Sequence, residues 1–307
     1  MWRKYATVPA FWGAARMNNL VLYIATVLIW GSTWIGIKYQ LGDVSPLVSI
    51  AHRFMLASVL IFAYLLLRRQ LARVSLTHHL FIALQGLCLF CTNYVFIYTA
   101  TAQLTSGLVA VVFSTMVIMN MVNAAIFLGL PMSPMVALGG AVGLAGMAGV
   151  FLPELQALDL SDANFRALLM CLAGTLSASL GNIVAARNQR YGLGVLTCNA
   201  WGMLYGALTL YVVALLLGHR ITLSAEPAYL ISLVYLSVFG SVVAFWAYVT
   251  LIGNIGADRA SYTSLLFPIV ALAISTLLEG YSWTWIAGGG LCLVLVGNAL
   301  VMRRGKA

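Results

Sequence analysis

"VSLTHHLFIALQGLCLFCTNYVFIYTATAQLTSGLVAVVFSTMVIMNMVNAAIFLGLPMSPMVALGGAVGLAGMAGVFLP", residues 74–153, contains no Asp, Glu, Lys or Arg. A helix that crosses a bilayer needs ~20 predominantly apolar residues, so this run has room for three crossings. It is punctuated twice, by the polar "TATAQLTSG" of 99–107 and by "GLPMSP" of 129–134, where Gly and Pro signal a turn. The whole chain shares this character. With 63% hydrophobic and 7% charged residues and a mean hydropathy of +1.00, it has too little polar surface to wrap a soluble domain.

Working outward from that run, residues 17–37 hold one span, and 54–67 form the bulk of a second that contains His52 and Arg53. Further spans fall between Arg166 and Arg187, Arg190 and Arg220, Glu226 and Asp258, Arg259 and Glu279, and from Trp283 to Met302. The sequence predicts an all-α integral membrane protein with ten transmembrane helices. They cover 19–40, 46–68, 77–100, 105–129, 133–152, 164–187, 194–217, 227–250, 258–279 and 283–303. The loops are too short for a soluble domain.

Cytoplasmic loops retain Lys and Arg during insertion. Ten spans put both termini on one side. Placing them inside puts Arg3, Lys4, Arg16, Arg68, Arg69, Arg73, Arg187, Arg190, Arg259, Arg303, Arg304 and Lys306 in the cytoplasm, twelve of the sixteen basic residues. Glu154, Asp159, Asp162 and Glu226 then lie in outer loops, with Asp43 and Glu279 at outer helix ends. The net charge of +9 is thus a topological signal that also suits anionic lipid headgroups, and no nucleic-acid groove is implied. Residues 1–18 lack the apolar core and cleavage site of a secretory signal. Two readings stay open there: an interfacial cytoplasmic segment, or a true start at Met17.

Cys88, Cys91, Cys171, Cys198 and Cys292 all fall inside predicted spans, and the three-residue spacing in "CLFC" lacks the second Cys/His cluster that a metal site needs. No metal, cofactor or disulfide is expected. HExxH, GxSxG, an acidic metal cluster and a P-loop are all absent, which argues against an enzyme.

The chain repeats itself. "YVFIYTATAQLTSGLVAVVFSTMV" from Tyr94 can be laid on "YVTLIGNIGADRASYTSLLFPIVA" from Tyr248, with Phe113 over Phe267 and Ser114 over Pro268. "GGAVGLAGMAGV" from Gly139 lies over "GLCLVLVGNALV" from Gly290, pairing Gly146 with Gly297. Five helices per half is an odd number, so the halves must insert upside down relative to each other. Inverted repeats belong to transporters, because one packing then serves inward-open and outward-open states. The expected units are a segment 1–18, a first repeat 19–152, an external linker 153–162, a second repeat 163–303 and a tail 304–307.

"WGSTWIGIK" in the first span, "SPLVSIAHRF" entering the second, "TSGLVAVVFS" opening the fourth and "ASYTSLLFPIVALAISTLLEG" in the ninth resemble the two EamA repeats of the drug/metabolite transporter (DMT) superfamily. The resemblance covers nearly the whole chain. It implies an inverted five-plus-five bundle with a central substrate cavity, in a bacterial inner membrane, for efflux of amino acids, related metabolites or drugs. Family members commonly end spans four and nine with glutamate. Glu279 matches this, whereas Leu130 stands at the first position.

Polar groups inside a span are costly unless they face protein or water, so "WGSTW" is expected to turn Trp30, Ser32 and Trp34 toward a cavity, the alternative being an interfacial aromatic belt. Residues three, four and seven apart share a helix face. On that spacing Phe113, Met116, Asn120, Asn123 and Phe127 align in span four; Cys91, Tyr94, Tyr98 and Thr101 in span three with Asn93 beside them; Thr175, Ser179, Asn182 and Ala186 in span six; Ser261, Ser264, Pro268, Ser275 and Glu279 in span nine. The asparagines would either hold a zwitterion or tie helices together. Trp246 and Tyr248 are further wall candidates, and Pro268 is expected to kink span nine. Lys38, Arg53 and Glu279 are expected to form an outer electrostatic cluster that gates access, holds a substrate carboxylate or is a structural ion pair. The glycines of spans five and ten tie the scaffold together in preference to building a homodimer. A secondary carrier for a small amphipathic metabolite follows. A channel-like facilitator or a membrane scaffold protein are the alternatives.

Overall fold

A computed structural model describes residues 18–40, 42, 44–101, 103–159, 161–278 and 283–302. Among them the regular structure is entirely helical. The helices are α1 (Asn19–Lys38), α2 (Pro46–Leu67), α3 (Leu76–Thr101), α4 (Ser106–Ser114), α5 (Met116–Leu128), α6 (Pro134–Val150), α7 (Leu152–Gln156), α8 (Asp162–Arg190), α9 (Val195–Leu216), α10 (Pro227–Ile255), α11 (Ala257–Ala260), α12 (Thr263–Leu278) and α13 (Trp285–Met302). Among the described residues seven stretches are long and apolar enough to cross a membrane: α1, α2, α3, Gly107–Leu128, α8, α9 and α10. Pro134–Val150 and Trp285–Val301 are shorter apolar helices.

Local chemistry sets the helix ends. The side chains of Asn18, Ser75, Thr105 and Ser133 accept hydrogen bonds from the backbone N–H groups of Leu20, His78, Leu108 and Val136, which the first turn leaves without helical partners. Pro46, Pro134 and Pro227 occupy first-turn positions, where the missing N–H costs nothing. Gly129 closes α5 in the left-handed region, at φ 63°.

Four interruptions depart from the uniform spans that the sequence suggests. α3 and α10 pass through π-helical stretches, Leu87–Thr92 and Leu236–Val243. The fourth span breaks at Thr115, whose hydroxyl donates to the Val112 carbonyl at 2.6 Å. The ninth breaks at Ser261–Tyr262, upstream of Pro268, and α12 runs through that proline. There Ser261, Thr263 and Ser264 donate their hydroxyls to the Asp258, Ala260 and Ser261 carbonyls at 2.7, 2.9 and 2.7 Å. Such local bonds offer the backbone an alternative to the helical ladder.

The bundle is held by pairs of helices. α6 lies along α13, α2 along α9, α3 along α8, and α1 along both α10 and α12. α6 and α13 approach backbone to backbone: a Cβ on Gly139 would sit 2.7 Å from the Gly297 carbonyl oxygen, and one on Gly146 2.6 Å from that of Gly290. Small residues permit this closeness, which is what binds helices where no hydrophobic drive operates between them. Of four apolar clusters among the described residues, the two largest fill most of the interior, one including Leu22, Ile183, Tyr248 and Leu265, the other Phe54, Phe90, Met203 and Phe245. Trp30 packs against both.

Candidate functional site: a cavity between two apolar cores

Where the clusters meet, a cavity of about 420 Å³ opens between α1, α2, α3, α4, α5, α8, α10 and α12. Trp30, Phe113, Phe245 and Phe267 give it aromatic walls; Tyr94, Tyr98, Asn93, Asn182, Thr33, Thr263 and Ser264 supply polar groups. Arg53 and Lys38 are the charged residues of its described wall. The volume and the mix of apolar walls with a few convergent polar groups suit a small ligand.

Trp30 is placed by its neighbours. Its ring lies edge-on to Phe245 at 5.1 Å and tilted against Tyr248 at 4.9 Å, and its Nε1 donates to the Gly240 carbonyl at 3.2 Å. Gly240 lies in the π-helical stretch of α10, where the one-residue slip redirects carbonyls that an α-helix would consume. The same carbonyl accepts from Arg53 Nη2 at 3.2 Å, while Arg53 Nε donates to Ser241 Oγ at 2.8 Å. The guanidinium lies 5.5 and 5.7 Å from the ring centres of Phe54 and Tyr94. Arg53 is only 3% exposed. It is held by neutral groups inside the bundle and does not snorkel to an interface.

On one side the cavity reaches the helix ends at Lys38, Thr101 and Leu104. The other side is closed by layers of hydrogen bonds. Asn182 Nδ2 donates to the Tyr248 hydroxyl at 3.0 Å, contacts Met116 Sδ at 3.3 Å and Asn120 Oδ1 at 3.5 Å. Below it, Asn120 Nδ2 donates to the Ala257 carbonyl at 3.0 Å and Asn123 Nδ2 to Ser179 Oγ at 2.8 Å. Gln189 and Arg190 then donate to the Val249 and Leu128 carbonyls at 2.7 and 3.2 Å.

Of the residues expected to face a cavity, Trp30, Asn93, Tyr94, Tyr98, Asn182, Ser264, Lys38 and Arg53 line it. Asn120, Asn123 and Ser179 do not, because their polar atoms are spent on one another's helices beneath it. The break at Thr115 divides the expected face of span four: Phe113 and Met116 stay on the wall, the two asparagines form the closed layer, and Phe127 is 62% exposed. Ser32 turns to the Tyr235 hydroxyl at 2.6 Å. Trp246 packs on the first cluster, while Tyr248, two residues on and therefore on another face, reaches the cavity. Pro268 is absent from the wall, yet its missing N–H leaves the Ser264 carbonyl without its helical donor. Glu279 and the side chains of Trp34 and Ser275 lie outside the described residues, and with them the acidic member of the expected cluster. Sequence reasoning did not reach Gly240, Ser241 and Phe245. Their signal, a glycine and a serine in an apolar run, is indistinguishable from packing without the π-helical slip.

The sequence pattern of the EamA-like transporter family matches the chain twice, over residues 17–152 and 165–303. A curated relative of Escherichia coli, the "uncharacterized inner membrane transporter YedA", is 29% identical over 89% of this chain and 87% of its own length. A "probable amino-acid metabolite efflux pump" of the same organism is 24% identical, covering 94% of this chain and 96% of that one. A solved crystal structure superposes with a TM-score of 0.78 at 15% identity, over 94% of this chain and 97% of the other. With an apolar bundle around a ligand-sized cavity, and both parts of its length matched, the chain belongs to the EamA-like transporter family, within the drug/metabolite transporter superfamily.

Proposed function

We propose that this membrane transporter is a secondary carrier that exports a small amphipathic metabolite, an amino acid or a close relative, across the bacterial inner membrane by alternating access. The observation that carries the reading is a cavity that reaches the helix ends on one side and is closed by three tiers of interhelical hydrogen bonds on the other. A carrier needs that asymmetry; a channel needs a continuous path. The name of the relative described as an amino-acid metabolite efflux pump supports the direction and the substrate class.

The proposal includes ten crossings in two inverted repeats, 19–152 and 163–303, with both termini cytoplasmic. Reciprocal contacts support it. Gly139 and Gly146 align in sequence with Gly290 and Gly297, and in space Gly139 meets Gly297 while Gly146 meets Gly290. Such exchanged pairing is what a two-fold axis produces. Phe113 and Phe267, also aligned, face each other at 6.2 Å. The π-helical stretches fall in α3 and α10, the third helix of each repeat. In this orientation the cavity faces outward.

The test is counterflow in proteoliposomes loaded with an unlabelled amino acid. A carrier accumulates the labelled compound transiently and saturates with concentration. Linear flux without counterflow would replace the carrier by a channel, and no flux of any tested metabolite would leave a scaffold. An imposed pH gradient that leaves the rate unchanged identifies facilitated export, and a gradient-driven rate identifies proton coupling.

A further inference from the structure

We infer that Arg53 is a built carboxylate receptor, and that the cavity therefore selects substrates with an anionic end and rejects amphipathic cations. This rests on the carrier reading and narrows its substrate class, separating amino acids from drug-like amines. A guanidinium carries five N–H donors. Here Nε and Nη2 are committed to Ser241 and Gly240, while Nη1 makes no hydrogen bond among the described residues, and Arg53 lines the cavity. The two committed bonds set the plane of the group. Both acceptors are neutral, and among the described residues Arg53 makes no ion pair.

An arginine that is 3% exposed in an apolar bundle is expensive. A structural arginine would be given a carboxylate, and a membrane-anchoring one would reach the headgroups. This one is aimed by a serine and a π-helical carbonyl, leaves a nitrogen with two donors uncommitted among the described residues, and sits on the wall of a cavity sized for a metabolite. The missing partner is a monoanion small enough to enter, presented on an apolar body that Trp30, Phe113 and Phe267 can flank. A carboxylate fits, because Nη1 donors and a planar oxyanion match in geometry. An ammonium placed in the same cavity would meet like charge from Arg53.

Three matched probes test this: phenylalanine, 3-phenylpropionate, which keeps the carboxylate and lacks the amine, and phenethylamine, which keeps the amine and lacks the carboxylate. Each competes against labelled phenylalanine in counterflow and is titrated by thermal shift in detergent. The expected order places both carboxylates ~10- to 100-fold ahead of phenethylamine, the range for a hydrogen bond to a charged group. Arg53→Met removes this preference. Because burial of methionine in place of an arginine is well tolerated, Arg53→Met is expected to keep its fold; Ser241→Ala, which retains the charge and releases its aim, is expected to reduce the preference partway. Phenethylamine competing as well as the acids, or an unchanged preference in Arg53→Met, overturns the inference and leaves the carrier standing. No counterflow of any aromatic or aliphatic amino acid overturns both.

Discussion

Asn123 and Asn182 show how far a single polar residue in a span can be read. Both were conspicuous, since an amide in lipid must find a partner. The sequence could not assign them, because the helix face that joins Asn120 and Asn123 to Phe113 assumes an unbroken span, and Thr115 breaks it. Among the described residues the Asn123 side chain hydrogen-bonds Ser179 alone, while Asn182 stands between the closed layer and the cavity. Asn123→Ala is expected to lower unfolding stability by ~0.6 kcal/mol, the usual worth of one interhelical hydrogen bond, with substrate affinity unchanged. Asn182→Ala removes bonds to Tyr248, Met116 and Asn120 together and should change affinity as well as stability. Equilibrium unfolding in detergent paired with ligand titration reads both. Loss of binding in Asn123→Ala at unchanged stability would move the site down into that layer.

Among the elements, helix positions were legible and their interruptions were not. Apolar runs with at most one charged residue locate α1, α2 and α9 to within a residue or two at either end, because length and apolarity are properties of the segment alone. The π-helical stretches are properties of the neighbourhood: "LCLFCT" and "LSVFGSVV" have the composition of any apolar helix. Gly86, just before the first stretch, and Gly240, inside the second, give separate predictions. A Cβ at Gly86 would land on the Gly202 carbonyl oxygen, against backbone that cannot move aside. Gly86→Ala should therefore destabilise by ~1 to 3 kcal/mol, as overpacking does, seen as a lowered melting temperature. At Gly240 the obstacles are the Thr33 methyl at 2.9 Å and Arg53 Nη2 at 3.0 Å, both side-chain ends. Gly240→Ala should shift the guanidinium, weakening phenylalanine binding several-fold while costing less stability than Gly86→Ala. Gly288→Ala, with nothing within 4 Å, is the control and should leave both unchanged.

At the scale of the whole molecule the same sequence offset that aligns Tyr94 with Tyr248 brings Gly86 to Gly240, and the two environments differ. Gly86 closes on α9 backbone to backbone, whereas Arg53 of α2 is interposed at Gly240. Under the proposed inverted repeat, in which these two glycines are equivalent, the difference between them is what a pair halted in one of its two states would show. Under the proposed orientation the open side faces out, which makes topology and state testable together. In a Cys292→Ser background, which removes the exposed native cysteine and keeps Cys88, Cys91, Cys171 and Cys198 inside their helices, one new cysteine at a time replaces Ala157 or Leu223, exposed in the loops after α7 and α9, or Leu71 or Tyr191, exposed in the loops after α2 and α8. An impermeant thiol reagent applied to intact cells should label the first pair and leave the second until the membrane is permeabilised, since an odd number of crossings separates each of the first pair from each of the second. Thr101→Cys at the cavity mouth should label from outside and become protected by phenylalanine, whereas Asn120→Cys, within the closed layer, should resist the reagent from either side. Labelling of Ala157→Cys and Tyr191→Cys from the same face would remove the five-plus-five inversion. Labelling of Asn120→Cys from outside would show the cavity running deeper than its polar floor, and with it a path too open for a carrier.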